Sequence, residues 1–189
     1  MKLFYHSPPG FTLVETLVAI SVLLIVIVGP MTVATNSARS TSFSSEQVQA
    51  FFLAQEGLEL AQKARDDLLL GSVDFTTGWD EFTDSSCAFA DCYDATPCGL
   101  HLPSGGPVAI DCADSADACR IFFDPNNDRN RFSHDNTSGA DRTPFIREIE
   151  MTHTGDEVEV ISTVRWRTGP QAAEQTVVLD TYLFNIYGN

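Results

Sequence analysis

Apolar residues are not spread evenly along this chain. Between Phe11 and Met31 the run is almost unbroken, FTLVETLVAISVLLIVIVGPM, and Glu15 is its only charge. No further charge appears until Arg39, so residues 16–38 form 23 consecutive uncharged positions. In a helix rising ~1.5 Å per residue they span roughly 35 Å, enough to cross the hydrocarbon core of a bilayer. Pro30 follows Gly29 about twenty residues into this helix. A proline there removes a backbone hydrogen bond, so Gly29-Pro30 predicts a helix break, or else the end of the span. Residues 36–47, NSARSTSFSSEQ, are polar and serine-rich and mark the exit from the apolar segment. Helical periodicity then returns. Phe51, Ala54, Leu58, Ala61, Arg65 and Leu68 recur at three- and four-residue steps, an amphipathic stripe suited to packing on a sheet. Gly71 is placed to end the helix. One long helix from about 12 to 70 is therefore expected, apolar in its first half and amphipathic in its second.

After residue 71 the pattern changes. Residues 72–119 are rich in Gly, Pro, Asp, Ser and Cys, with Trp79 and Phe82 as expected core anchors. So long a segment should carry short strands or be stapled by disulfides. Strand patterns fill the remainder. Ile121-Phe122-Phe123 is a short apolar run. From Phe145 to Thr152 the chain alternates, with Phe145, Ile149 and Met151 on one face. Thr154-Gly155-Asp156 reads as a turn. Val158, Val160, Val164 and Trp166 then share a face, opposite Glu157, Glu159, Thr163, Arg165 and Arg167. The two runs make an antiparallel hairpin with one wet face. A loop at Thr168-Gly169-Pro170 leads to a last strand, Thr176 to Phe184. The predicted fold class is α+β, a long helix laid across an antiparallel sheet.

Charge narrows the choice of partners. The chain of 189 residues carries a net −15, and residues 74–135 hold twelve acids against three bases. No basic patch is evident to neutralise phosphates, which argues against nucleic acid as a partner. Five cysteines, Cys87, Cys92, Cys98, Cys112 and Cys119, crowd one stretch. Their spacings are not C-x-x-C and no histidine stands beside them in zinc-ligand spacing. Downstream of a membrane segment, disulfides are the natural reading. Two bridges and one leftover thiol are expected, with Cys112–Cys119 the first pairing to consider.

Glu15 is the chemically informative residue. A charged side chain at the centre of a membrane helix costs roughly 2.5–3.5 kcal/mol on the gentler scale, so it has to be compensated. No basic side chain lies within two helical turns. A cut between Gly10 and Phe11 would create an α-amine, and Phe11 and Glu15 stand at i and i+4 on one helix face. The compensating amine is then the chain's own or that of a neighbouring copy, which turns Glu15 into an assembly device. A secretory signal explains the apolar run but not the acid within it, and Gly10 precedes the core instead of following it.

Gly10-Phe11-Thr12-Leu13-Val14-Glu15, followed by the unbroken apolar run, resembles the type IV prepilin signature, shared by pilus subunits and the pseudopilins of type II secretion and DNA uptake. The resemblance implies cleavage after Gly10 by a prepilin peptidase, methylation of the new terminal Phe11, and assembly through Glu15. The leader departs from the pattern in one respect, its single firm positive charge at Lys2. Residues Ala54-Gln55-Glu56-Gly57-Leu58-Glu59, with Arg65-Asp66 beyond, are similar to the minor-pilin branch. The implied organisation is a leader at 1–10, the transmembrane half of the helix at 11–35, its amphipathic half at 36–71, a cysteine-containing loop region at 72–120 and the sheet at 121–189. Implied partners are like or related pilin subunits, the prepilin peptidase, inner-membrane assembly machinery and the lipid bilayer. The implied location is the inner membrane before assembly, with the C-terminal domain outside the cytoplasm, and a filament afterwards.

A second motif carries oxygen ligands. Asp124, Asn126, Asp128 and Asn130, with Asp135 eleven residues after Asp124, resemble the spacing of a calcium loop. Arg129 in place of the turn glycine, the positive Arg131 and an Asp at the closing position count against calcium, and an acidic turn before a strand explains the same residues. Asn136-Thr137-Ser138 matches a glycosylation sequon. Otherwise the chain calls for no cofactor. Three function classes follow: a filament subunit with no catalysis, a membrane-tethered extracellular adhesin that does not polymerise, and a secreted hydrolase. The last is weakest, because G-x-S-x-G and H-E-x-x-H are absent and His101, His134 and His153 are scattered.

Overall fold

A computed structural model describes residues 10–84, 89–93, 96–103, 106–113, 118–126, 132–136, 139–167 and 173–186. Helix α1 runs from Leu13 to Gly71, and α2 from Phe75 to Thr83. A short 3-10 turn at Ala90–Cys92 precedes seven strands: β1 Cys98–His101, β2 Val108–Asp111, β3 Arg120–Phe123, β4 Phe132–Ser133, β5 Asp141–Thr154, β6 Glu157–Trp166 and β7 Gln175–Phe184. Long helix and antiparallel sheet give the expected α+β architecture. The chain divides into two compact units, Met1–Ser45 and Glu46–Asn189.

In the first unit α1 is an apolar rod. Its most hydrophobic 18-residue window has a mean hydropathy of 2.7 and none of it is buried. Its hydroxyls turn inward on the backbone: Thr16 donates to the Leu13 carbonyl at 2.8 Å, Ser21 to Leu17 at 2.8 Å, Thr32 to Val28 at 2.9 Å and Thr35 to Met31 at 2.8 Å. Such back-bonding lets Ser and Thr sit in an apolar medium with no donor left unused. The break expected at Gly29-Pro30 does not interrupt the helix, which continues through both residues. Proline withholds one donor, but its fixed φ near −65° is itself helical, and the turns on either side remain bonded.

In the second unit, residues 46–71 of α1 pack on the sheet. The buried positions are Ala50, Leu53, Ala54, Gly57, Leu60, Ala61, Ala64 and Leu69. This seam is rotated from the expected stripe. Ala54 and Ala61 are buried, but Phe51 is 45% exposed, because small residues and not aromatics let the helix lie close. Gly57 marks the tightest approach: a Cβ there would stand 2.5 Å from Ser162 Oγ and 2.7 Å from Ile149 Cδ1.

The region expected as a loop holds more order than its composition suggested. Asp74 caps α2 by accepting the Thr77 N–H at 2.7 Å, a bond that also holds its carboxyl below the ordinary value. Trp79 and Phe82 then enter the core. Gly78 permits the packing of α2 on the end of α1, since a Cβ would come within 2.8 Å of the Leu68 carbonyl oxygen. Strands β1 and β2 from the same region join the sheet, so the sheet begins before residue 121.

Strand β5 is the centre of the sheet. It pairs with β6 along one side through nine residue pairs, from Ile146↔Arg165 to Thr154↔Glu157. On the other side it meets β1 at Cys98↔Ile149 and β3 at Arg120↔Ile146. Strand β7 adds to β6 from Trp166↔Gln175 to Glu157↔Phe184. The β5–β6 turn is Gly155-Asp156, and Gly155 has φ +63°, a value glycine adopts without strain. Two apolar clusters form beneath. One gathers Leu60, Ala61, Ala64, Trp79, Phe82, Met151, Val158, Val160 and Leu183; the other gathers Ala50, Leu53, Ala54, Ile121, Phe145, Val164 and Trp166.

Candidate functional site

The processing and assembly residues lie at the start of α1. Gly10 and Phe11 precede the helix, and Phe11 is 82% exposed. Thr12 begins it: the Thr12 carbonyl accepts the Glu15 N–H at 3.1 Å and the Thr16 N–H at 3.2 Å, and Thr12 Oγ1 also faces the Glu15 N–H at 3.3 Å. The T-x-x-E order is that of a capping box, and its threonine half is formed. Glu15 is exposed in the first helical turn, where the helix dipole favours negative charge. Among the described residues it remains the only charge before Arg39. A continuous apolar surface follows, with Leu17, Ile20, Leu24 and Ile25 each more than half exposed. Patches of that size do not persist in water and need lipid or protein cover.

The cysteines resolve into two disulfides, Cys92–Cys98 with Cα atoms 4.7 Å apart and Cys112–Cys119 at 5.2 Å. The second is the pairing considered first from sequence. Cys87 lies outside the described residues. Of the candidate calcium ligands, Asp128 and Asn130 also lie outside them, as do Arg129 and Arg131. Asp124 accepts the Asn126 N–H at 2.9 Å, an Asx turn, and the Asp135 N–H faces Ser133 Oγ at 3.2 Å. Among the described residues no three His, Cys, Asp or Glu side chains are gathered to hold a metal ion. Thr137 and Ser138 of the sequon, the leader up to Pro9 and the loop at Thr168-Gly169-Pro170 lie outside the described residues as well.

Sequence reasoning missed one residue that organises the second unit. Arg147 stands on the apolar face of β5, between Phe145 and Ile149, and is 1% exposed. Its Nη1 donates to the Leu53 carbonyl at 3.2 Å and to Glu56 Oε2 at 2.8 Å, and its Nη2 donates to the Leu100 carbonyl at 2.8 Å. One guanidinium thus ties α1 to β1 across the sheet. Burial pulls its pKa down, and Glu56 opposes that pull. The signal was available, because an arginine interrupts an otherwise strict alternation.

The histidines are less scattered than their numbering implies. His101 and His134 stand with ring centroids 6.5 Å apart. His134 places Nδ1 3.1 Å from the Arg120 carbonyl, so that nitrogen is the donor. Burial, reinforced by nearby Arg147, pushes its pKa down to about 3. His134 is buried and His101 is half-buried.

Together these features define an α+β protein with one apolar N-terminal helix long enough to span a membrane and a disulfide-bonded sheet domain. No protein-family model, curated protein or solved structure matches the chain.

Proposed function

We propose that this chain is a structural subunit, a minor pilin or pseudopilin, of a type IV pilus-like filament or a type II secretion-type pseudopilus. It is cleaved after Gly10 and assembled through Glu15. It starts as a single-pass inner-membrane protein whose sheet domain lies outside the cytoplasm, and its partners are like or related subunits.

One observation carries the reading. Glu15 is the only charge in α1 before Arg39, and the 23 residues after it have none. Its local role at the helix start is worth about 0.3–1 kcal/mol, less than the roughly 2.5–3.5 kcal/mol a charge costs deep in a membrane. Cleavage after Gly10 would set a new amine two residues before Leu13, at the positive end of the helix dipole. Glu15 is the one carboxylate in that first turn. Two disulfides in the sheet domain agree with a non-reducing compartment.

The Thr12–Glu15 cap favours a second reading, a tethered extracellular binding module in which Glu15 only starts the helix. Amino-terminal sequencing of the mature protein from the cell envelope separates the two. Methylated Phe11 as first residue is the expected result; an intact Met1 removes the basis for assembly. In the same cells Glu15→Leu should abolish incorporation into filaments, whereas a tether would keep its surface display unchanged.

A further inference from the structure

Strand β7 is an edge of the sheet. Among the described residues it pairs with β6 alone, along its 10 residues and without a break in register. The Asn185 N–H reaches the Asp156 carbonyl at 2.8 Å. Continued along the unbroken antiparallel ladder, that bond turns the backbone groups of the odd-numbered residues toward β6. Thr176, Val178, Asp180, Tyr182 and Phe184 each turn an N–H and a C=O the other way, onto an open edge. Proteins guard such edges with lysine, proline, a bulge or a very short strand. The sequence QTVVLDTYLF has no lysine or proline, and its pairing has no bulge.

The side chains along this edge are apolar and acidic. Val178, Tyr182 and Phe184 are exposed on the face turned away from α1, and Asp180 stands between the first two. Register sets Glu159 beside Tyr182 and Glu157 beside Phe184. Glu159 accepts the Tyr182 hydroxyl at 2.7 Å and holds that phenol above its ordinary pKa. Residues 148–164 and 173–186 contain no lysine or arginine. Arg165 lies opposite Thr176, at the far end of the edge, and is bound to Glu148.

We propose that the β7 edge receives an extended strand of a partner protein, basic and apolar in alternation, which extends the 7-stranded sheet by one. Backbone bonds to the outward N–H and C=O groups hold the added strand. Lysine or arginine opposite Asp180, and within reach of Glu159 and Glu157, selects it by charge. A second copy of this chain fits worse. Its β7 would pair outward residues with outward residues, and the two registers that match the strands along their length set Asp180 either opposite or diagonal to its own counterpart. Each copy also brings a net −15. The proposal rests on β7 and its neighbours and is independent of how the amino terminus is processed.

Fluorescence anisotropy with the full-length protein in non-ionic detergent tests it. The probe is a fluorescein-labelled octapeptide in which valine alternates with threonine and lysine. It should bind at about 20 mM NaCl and about tenfold more weakly at about 500 mM. The same peptide with glutamate for lysine should not bind. A fully N-methylated version keeps the charge, has no backbone donors, and should not bind either. Val178→Pro removes an outward N–H and no bond to β6, at a place where an edge strand accepts proline. It should weaken binding about tenfold with an unchanged circular dichroism spectrum, and Asp180→Lys should weaken it about as much. If Val178→Pro fails to fold, the N-methylated peptide still decides, on the wild-type protein. No binding of the lysine peptide, binding that ignores salt, equal binding of the glutamate or N-methylated peptide, or an unaffected Asp180→Lys or folded Val178→Pro would each overturn the proposal. So would tighter binding of a peptide copying Gln175–Phe184, which would assign the edge to a second copy.

Discussion

Truncating Glu56 to alanine should destabilise the sheet domain far more than the loss of a half-exposed surface acid normally would. The reason is Arg147, buried at 1% exposure with its Nη1 2.8 Å from Glu56 Oε2. Removing one partner of a buried pair leaves the other charge uncompensated, at a cost of about 3–5 kcal/mol. Glu56 is 37% exposed, and water screens that side of the pair, which lowers the figure to about 2–3 kcal/mol. Arg147→Met removes the buried charge while keeping most of the volume, and should cost only ~1 kcal/mol. In that background Glu56→Ala should cost under about 0.5 kcal/mol, as exposed substitutions do. The coupling is then about 2 kcal/mol. Urea denaturation of the disulfide-intact protein in detergent, followed by the fluorescence of buried Trp79 and Trp166, closes the cycle. A coupling below ~0.5 kcal/mol would refute the claim that Glu56 neutralises Arg147.

Four further outcomes follow. His134 has its folded pKa near 3, below the ordinary 6.5, so the unfolded state binds the extra proton between those values. Stability is therefore fully present above pH 6.5 and falls as pH drops, by about 2 kcal/mol at pH 5; a pH series of urea midpoints in which His134→Gln matches the wild-type slope would exclude it. Gly57→Ala should destabilise by about 1–3 kcal/mol despite alanine's better helix propensity, because its methyl meets Ser162 and Ile149; an unchanged or raised urea midpoint would contradict the packing. Opening the Cys112–Cys119 bridge by paired serine substitution should lower stability by about 2 kcal/mol, the chain-entropy value for so short a loop; an unchanged urea midpoint would show that the bridge stabilises nothing. Asp74→Ala removes the cap of α2 and should cost ~1 kcal/mol, readable by the same titration.

The long helix and the β5–β6–β7 meander were legible because they repeat a simple period over many residues. The face of α1 was not. Phe51 drew the stripe toward itself, yet the sheet takes Ala50, Leu53 and Ala54 beside it, and Gly57 lies where Arg147, Ile149 and Ser162 leave no room for a side chain. Helix α2 was hidden by Thr76, Thr77 and Gly78, which are poor helix formers; its cap and the burial of Trp79 and Phe82 override that weakness. Strands β1 and β2 are four residues each, too short to declare a period, and exist as strands through pairing and disulfides. The reading of the amino-terminal residues draws on chemistry local to Gly10–Glu15 and calls on no tertiary contact. The gathering of Arg120, Arg165 and Arg167 was not legible, since β3 and the end of β6 are neighbours of β5 only through the register.

The seam of α1 repeats small residues at nearly even steps, Ala50, Ala54, Gly57, Ala61 and Ala64, so one turn of it looks much like the next to the sheet. A surface so uniform can grip but cannot count. A helix sliding by three or four residues would move about 5 Å and present a similar row of methyl groups, with Ala54 or Ala61 at the place of Gly57. What fixes the setting is Gly57, the one seam position with no Cβ to meet Ser162 and Ile149, together with the arginine peg, which finds the Leu53 carbonyl and the Glu56 carboxylate in only one position. Remove the peg, and Gly57 alone is left to choose among settings that the rest of the seam hardly distinguishes.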